Sequence, residues 1–512
     1  MGSDIFGVAD WIAIAVYVLV VLGVGVWAVR ESKTSDDYFL AGRSISWPVA
    51  GLSLFASNMS GSTLIGLVGG AYQMGLVVYN YEWTAVLALL VLIGLFLPVY
   101  RRLDITTAPE FLERRFDART RRCFSGLAVT GNIVIDMAGT LYAGALVVKV
   151  VMPGVSLEAL VGALALAAGG YAIVGGMRSA LYTDVLQGGL LILGAGIVSV
   201  AAYWEVGGWT AVEAVTDPSF RRLILPAGSE VLPWPGLCSG LLLLGVYYWC
   251  INQVMVQRTL STASLEEARY GALFAGVLKL PVLFLLVVPG LCALVLYPNL
   301  GNPDLVFPRL AFDLLPAGVR GLVLVAFVAA VMSSVDSILN SASALITMDF
   351  YAALRPHAPE RHLVFVGRIA AAAVLLLGAA IAPQIEQFIS LWNYLQSALS
   401  YLTPPIVAVF LGGILGRRIN RHGAFATLVG GSGLALLLLV LQPPLHFLYV
   451  AALLFVVSLT MLWGISYATG PPSPEKLRAC LWTRRDATAT RAVWAGAGLL
   501  LLAVGVIVAV FW

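Results

Sequence analysis

Five ionisable side chains lie inside long apolar segments of this 512-residue sequence. They are Glu82, Asp136, Asp184, Lys279 and Asp336. A charge at the centre of a membrane-spanning helix costs about 2.5–3.5 kcal/mol on insertion scales, so such residues generally serve ions or polar solutes. A large helix bundle could also hold some of them as interhelical hydrogen bonds of about 0.6 kcal/mol each. Taken together, the five favour a polar binding site within an apolar protein.

A strip of small and hydroxylic residues surrounds Asp336. Its members recur every three or four residues and share one helical face. They are Ala330, Ser333, Ser334, Ser337 and Ser341. Neutral hydroxyl and carbonyl oxygens suit sodium, although such a strip also suits close packing against another helix. Asp336 needs a cation, a proton or a basic partner, and with Asp184 it predicts either a second sodium site or a structural ion pair.

The run at 55–63, FASNMSGST, is small and polar amid apolar neighbours. It weakens a helix, and broken helices at membrane depth line cavities or coordinate ions and substrates. A contact surface for another helix is the alternative. A further polar set comprises Tyr81, Glu82, Lys279 and Gln396. Carboxylate, ammonium and amide groups beside aromatic rings suit a polyol, and they would also suit other polar solutes.

The elements that must position these groups are membrane spans. The chain is 60% hydrophobic and 11% charged, with a mean hydropathy of +0.92. Apolar runs of roughly 20 residues, the length that crosses a bilayer, recur throughout. We predict about fourteen spans, at 8–29, 48–76, 79–100, 124–150, 156–175, 181–204, 236–257, 270–297, 317–347, 364–382, 385–413, 423–441, 444–468 and 491–512. The protein is therefore predicted to be an all-α integral membrane protein.

Lysine and arginine residues concentrate in one alternate set of loops, around positions 30–43, 101–122, 355–361, 417–421 and 476–485. The positive-inside rule makes this set cytoplasmic and places both termini outside. The net charge of +3 follows from this asymmetry and indicates no nucleic-acid partner. The five cysteines form no CxxC pair. Short loops favour a bacterial inner-membrane protein. The protein is expected to lie in the lipid bilayer as a monomer or loose oligomer.

Several separate segments resemble one family, the sodium/solute symporters, and within it the sodium/glucose cotransporter branch. The resemblance covers nearly the whole chain. Its most specific stretches are FLAGR at 39–43, 53–58, YAIVGGMRSA at 171–180 with Thr183 and Asp184, YYWC at 247–250 continuing to QRTL at 257–260, and 340–349.

The resemblance implies a five-plus-five inverted-repeat, LeuT-like core with alternating access. The expected divisions are 1–46 (extra helix and loop), 47–205 (first repeat), 206–235 (outer loop), 236–420 (second repeat) and 421–512 (three peripheral helices). The family's main sodium site carries over to the carbonyls of Ala56, Met59 and Ala330 and the hydroxyls of Ser333 and Ser334. One sodium ion is expected, with Asp184 and Asp336 as candidates for a second.

The family's sugar-binding positions carry over as Asn58, Glu82, Lys279 and Gln396, with Tyr81 beside them and Tyr248 as the inner gate. Three positions depart from the family pattern. Thr63 stands where relatives have His or Gln, Gly245 falls where some have a hydrogen-bonding side chain, and Asp136 replaces Lys or Asn near the substrate. The resemblance thus implies sodium-coupled symport of a hexose such as glucose or galactose.

The alternatives are symport of another small solute, coupled to sodium or protons, or a transporter-like sensor. Inositol, sialic acid, an amino acid or a monocarboxylate would be such a solute. An enzyme is not predicted, because the sequence offers no metal-ligand cluster and no set of nucleophile, base and orienting residue.

Overall fold

The computed structural model describes residues 7–12, 15–17, 19, 20 and 40–512, with the backbone alone at 170–180. Parts of the predicted span 8–29 and of the division 1–46 lie outside the described residues. So do the first residue of the FLAGR motif and the side chains of the motif at 171–180.

The described chain is helical, because a backbone that crosses lipid must satisfy its own hydrogen bonds. Its α-helices of five residues or more are α1 (Trp47–Asn58), α2 (Gly61–Met74), α3 (Asn80–Val91), α4 (Leu97–Leu103), α5 (Ala108–Arg115), α6 (Ala118–Gly131), α7 (Ala138–Val151), α8 (Leu157–Glu205), α9 (Trp209–Val215), α10 (Leu242–Val246), α11 (Gln253–Leu260), α12 (Leu265–Lys279), α13 (Val288–Leu296), α14 (Val306–Leu314), α15 (Val319–Ala344), α16 (Glu360–Ile381), α17 (Leu391–Leu415), α18 (Arg421–Leu441), α19 (Phe447–Ala468), α20 (Pro474–Cys480) and α21 (Arg491–Val510). Between residues 40 and 512, strand-like pairing is confined to two isolated bridges.

Eleven helical stretches in the described part of the chain are long and apolar enough to cross a membrane. The predicted count of about fourteen is higher for identifiable reasons. The predicted span 48–76 is divided between α1 and α2, and α2 shares one continuous stretch with the following span. The predicted spans 156–175 and 181–204 both lie in α8.

Several central helices contain π-helical turns, which are frequent at functional sites. One, Asn132–Met137, joins α6 to α7 and contains Asp136. Another, Tyr247–Ile251, follows α10 and contains Tyr248. A third, Leu283–Val287, lies between α12 and α13. Two predicted site residues are thus presented from locally widened helix.

The turn between α2 and α3 depends on a glycine. Gly75 has φ +84°, and a Cβ at this position would lie 2.4 Å from the carbonyl oxygen of Phe220. Only glycine adopts this backbone conformation without strain. The turn returns the chain so that Tyr81 and Glu82, in the first turn of α3, reach the centre of the bundle.

The helices divide into a central group and a lipid-facing group. The most apolar part of the stretch containing α15 is 78% buried, whereas that of α21 is only 22% buried. Exposed apolar side chains on the outer helices include Val440 and Leu499. In a bilayer these surfaces face acyl chains, and the polar residues lie in the central group.

Candidate functional site

The chain between α1 and α2 leaves the helical path at Met59 and Ser60, as the sequence predicted. Met59 has ψ 57° and Ser60 has ψ 167°, and the Ser60 hydroxyl caps α2 by accepting a hydrogen bond from the Thr63 amide at 3.1 Å. The Thr63 hydroxyl donates to the carbonyl of Asn58 at 2.7 Å. The last carbonyls of α1 lack intrahelical donors at such a break, so oxygens in this region become available to a ligand.

A buried cluster of three polar side chains lies beside the break. The Lys279 ammonium donates to Glu82 at 2.6 Å and also to the side-chain oxygen of Asn58. Lys279 and Glu82 are 1% and 5% exposed, so the pair is almost fully desolvated. The ammonium also lies 5.3 Å from the ring of Trp249, a cation–π distance. Three residues from different parts of the sequence thus form one charged cluster.

Lys279 is held in place by a second interruption. It is the last residue of α12, and the Tyr79 hydroxyl donates to the carbonyl of Leu280 at 3.0 Å just beyond it. This bond satisfies a carbonyl at the helix end and ties α12 to the turn that precedes α3.

One cavity brings together every substrate-site residue predicted from the sequence. Its lining includes Asn58, Thr63, Tyr81, Glu82, Asp136, Lys279, Gln396 and the predicted gate Tyr248. Ser334 of the predicted sodium site lines the same cavity, together with Ser57 and Ser337. The predicted solute and sodium positions are therefore adjacent.

Two tryptophans that line the cavity, Trp249 and Trp392, were not predicted as site residues from the sequence. Trp392 contacts Tyr81 edge-on, with 5.0 Å between ring centroids, and its indole N–H has no acceptor among the described residues. Trp249 contacts Tyr248 in the same way at 5.5 Å. Trp392 precedes Gln396 by four residues and so shares its helical face, a spacing that could have revealed it.

Asp184 connects the broken helix to α15. Its carboxylate accepts hydrogen bonds from Ser53 at 2.5 Å and Ser57 at 3.3 Å in α1, and from Ser333 in α15. The Ser334 hydroxyl donates to the carbonyl of Ala330 at 2.8 Å. The hydroxyl protons of Ser333 and Ser334 are thus both used in hydrogen bonds. The lone pairs of these two hydroxyl oxygens remain available to a cation.

The basic partner of Asp184 is Arg258, in α11. Its guanidinium lies 2.9 Å from the Asp184 carboxylate, and it donates to Ser53 at 2.9 Å and to Ser337 at 2.5 Å. Arg258 is 1% exposed and Asp184 is fully buried. Arg258 belongs to the QRTL motif at 257–260, but its pairing with Asp184 was not predicted from the sequence.

Asp336 lies beside this ion pair and accepts a hydrogen bond from the Asn340 amide at 3.0 Å. The charges of Asp184 and Arg258 both act on its carboxylate, which is 1% exposed. Among the described residues, Arg258 forms an ion pair with Asp184 and none with Asp336. Asp336 therefore requires a proton or another cation if it is not to remain an unpaired buried charge.

A bundle of apolar helices around a polar cavity, with a broken helix on one side and a hydroxyl-rich helix beside it, is the architecture of a secondary transporter. The sequence profile described as "SSF: Sodium:solute symporter family" matches residues 38–431. The chain belongs to this family of transporters and is a sodium-coupled solute symporter.

Several known transporters are similar in sequence to almost the whole chain. The rat sodium/myo-inositol cotransporter 2 is 34% identical over 94% of this chain and 80% of its own length. The rat sodium/glucose cotransporter 2 is 34% identical over 94% of this chain and 82% of its own length. The pig sodium/glucose cotransporter 1 is 33% identical over 94% and 82%, respectively.

Solved structures agree on the fold. An outward-open, substrate-bound Na⁺-coupled sialic acid symporter has a TM-score of 0.81 at 24% identity, covering 91% of this chain and 99% of the other. A closed nucleobase-cation-symport-1 transporter, Mhp1, has a TM-score of 0.56 at 15% identity, covering 88% and 99%. These likenesses support the predicted LeuT-like transporter fold.

Proposed function

We propose that this symporter carries a hexose or a cyclic polyol together with sodium. The observation that carries the proposal is the single cavity in which Asn58, Glu82, Lys279 and Gln396 meet the hydroxyl of Ser334. A sugar hydroxyl both donates and accepts, so it can bond to a carboxylate, an ammonium and an amide in turn. Relatives named as glucose and myo-inositol cotransporters support the same substrate class.

Aromatic rings complete a polyol site. Trp392 and Tyr81 present edge-packed rings to the cavity, and Trp249 and Tyr248 line it from another helix. The apolar face of a sugar or cyclitol ring packs against such rings while its hydroxyls bond outward. The indole N–H of Trp392, which has no acceptor among the described residues, supplies one further donor.

We propose that sodium binds between α1 and α15. Its ligands are the carbonyl oxygens of Ala56, Met59 and Ala330 and the hydroxyl oxygens of Ser333 and Ser334. Sodium there would hold the two helices together and favour the outward-open state. If sodium raises sugar affinity, sugar must raise sodium affinity by the same factor. Inward opening, after Tyr248 moves, would separate these ligands and release the ion.

The membrane potential would supply part of the driving force. Each sodium ion that enters down a potential of 100 mV contributes about 2.3 kcal/mol to uptake. A bacterial inner membrane, with both termini outside, is the setting we propose from the distribution of basic loops.

The first test is uptake of radiolabelled glucose, galactose and myo-inositol into proteoliposomes, with sodium or potassium outside. Ser334→Ala removes one sodium ligand, so we expect the sodium concentration for half-maximal uptake to rise about tenfold. Gln396→Ala should raise KM for the sugar about tenfold with sodium saturating. Ser432→Ala, in peripheral α18, is the matched control and should change neither constant.

The outcomes separate the two halves of the proposal. Uptake of all three solutes that is independent of sodium would contradict the coupling site. Sodium binding that is lost in Ser334→Ala, combined with no uptake of any of the three, would retain the ion site and reject the substrate class.

We further propose that Asp336 takes a second monovalent cation, because the guanidinium of Arg258 is paired with Asp184 and the described contact of the Asp336 carboxylate is to the neutral Asn340 amide. Asp336→Asn removes the carboxylate that would hold this cation. The number of cations per solute, obtained from reversal potentials at varied sodium and pH, should fall by one. Dependence of that number on sodium identifies a second sodium, and dependence on pH identifies a proton. An unchanged number would exclude Asp336 from coupling.

A further inference from the structure

Asp136 is the one carboxylate lining the central cavity that lacks a partner among the described residues. Three ionisable acidic or basic side chains other than tyrosine line this cavity: Glu82, Lys279 and Asp136. Glu82 and Lys279 neutralise one another at 2.6 Å. No hydrogen bond or ion pair from the described part of the chain reaches the Asp136 carboxylate. With its carboxylate ionised, Asp136 would give the described lining a net charge of −1.

The position of Asp136 directs this charge at the solute. It lies in the π-helical turn between α6 and α7, one helical turn before Thr140, which lines the same cavity. The residue is half-buried, so its accessible surface faces the cavity. It is also separate from the buried ion pair of Asp184 with Arg258, whose guanidinium is occupied by three side-chain acceptors.

The surroundings of Asp136 suit an organic cation better than a metal ion. The aromatic side chains of Tyr248, Trp249 and Trp392 line the same cavity as Asp136. Aromatic faces attract an ammonium group through cation–π contacts, whereas a sodium ion needs several oxygen ligands at once.

We propose that the preferred substrate carries a protonated amine, as an amino sugar or an aminocyclitol does, and that Asp136 binds this amine. This inference rests on the proposed polyol site and narrows it to a substrate class. The ring hydroxyls would bond to Glu82, Lys279 and Gln396, and the ammonium would donate to Asp136. The substrate would thereby neutralise the negative charge that the cavity lining has without it.

The test compares sodium-driven uptake of glucosamine, glucose and N-acetylglucosamine at about pH 6.5, below the pKa range of free amino groups. We expect KM for glucosamine to be about tenfold or more below that for glucose, as befits a charge-assisted hydrogen bond. N-acetylglucosamine carries a neutral amide at the same carbon and should gain no such preference.

Asp136→Asn keeps the size of the side chain and removes its charge, so the ratio of the two KM values should approach one. Thr130→Ala, at an exposed position six residues earlier and outside the cavity lining, should leave that ratio as it is. If either variant transports too slowly, the rise in Tm on adding each ligand to purified protein gives the same comparison.

Each outcome separates this inference from the proposed function. Sodium-driven glucose uptake without a preference for glucosamine would reject the amine and retain the polyol symporter. A preference that persists in Asp136→Asn would reject Asp136 as its cause. Failure of all three sugars and of myo-inositol to enter would reject both.

Discussion

Replacing Lys279 with methionine should lower sodium-driven uptake at least about 100-fold and also destabilise the protein. The substitution leaves Glu82 buried and unpaired, and breaking a buried ion pair in this way costs about 3–5 kcal/mol. It also removes the donor to Asn58 at the helix break. Uptake in proteoliposomes measures the first effect, and the Tm of detergent-purified protein measures the second.

A double variant separates structure from function at this site. Lys279→Met combined with Glu82→Gln leaves no buried charge, so the Tm should return most of the way to that of the unmodified protein. Uptake should stay low, because the groups that bind solute hydroxyls are altered. A double variant that transports at the normal rate would show that the pair is structural and that the solute binds elsewhere.

Replacing Arg258 with methionine should lower the free energy of unfolding by about 3–5 kcal/mol. Without the guanidinium, the fully buried carboxylate of Asp184 loses its basic partner. Ser53 and Ser337 each lose a hydrogen bond at the same time. The resulting fall in Tm is the measurement.

Two comparisons test the cause of that loss. Arg114→Met breaks an exposed pair with Glu110 and should change the free energy of unfolding by about 1 kcal/mol or less. Arg258→Met with Asp184→Asn should be more stable than Arg258→Met alone, since it removes the carboxylate that lost its basic partner. A single Arg258→Met variant as stable as Arg114→Met would contradict the buried-charge explanation.

Asp184 gives these effects a route to coupling. It is bonded to Ser53 and Ser57 of α1, to Ser333 of α15 and to Arg258 of α11. Because the Asp184 carboxylate contacts three other helices, it can transmit a change at Ser333 in the proposed sodium site to α1, which lines the solute cavity. Loss of this connection would alter sodium and solute affinity together.

The membrane class, a helix break within 55–63 and the set of polar residues could be predicted from the sequence. Charge and small polar residues are costly inside a span, so their positions in an apolar sequence carry information by themselves. The family could be recognised because several short segments resemble its motifs in the same order along the chain. Residues such as Lys279 and Gln396 were identified as site candidates without any coordinates.

Partnerships across the bundle could not be predicted in this way. Helical periodicity shows which face a residue occupies, but it does not show which other helix that face meets. Glu82 could have been interfacial, and Asp184 could have bound a second sodium alone. The structure pairs Glu82 with Lys279 across 197 positions and Asp184 with Arg258 across 74.

The sequence by itself determined that this is a membrane protein with a polar site in its core, because the cost of burying polar groups in lipid leaves a pattern along the chain. Its resemblance to the sodium/solute symporters implied the coupling to sodium. Only the tertiary structure decided which charges are compensated. Compensation depends on distances of about 3 Å between helices that are remote in sequence. That geometry leaves the Asp136 carboxylate in the cavity without a partner among the described residues, and from this carboxylate we infer the substrate.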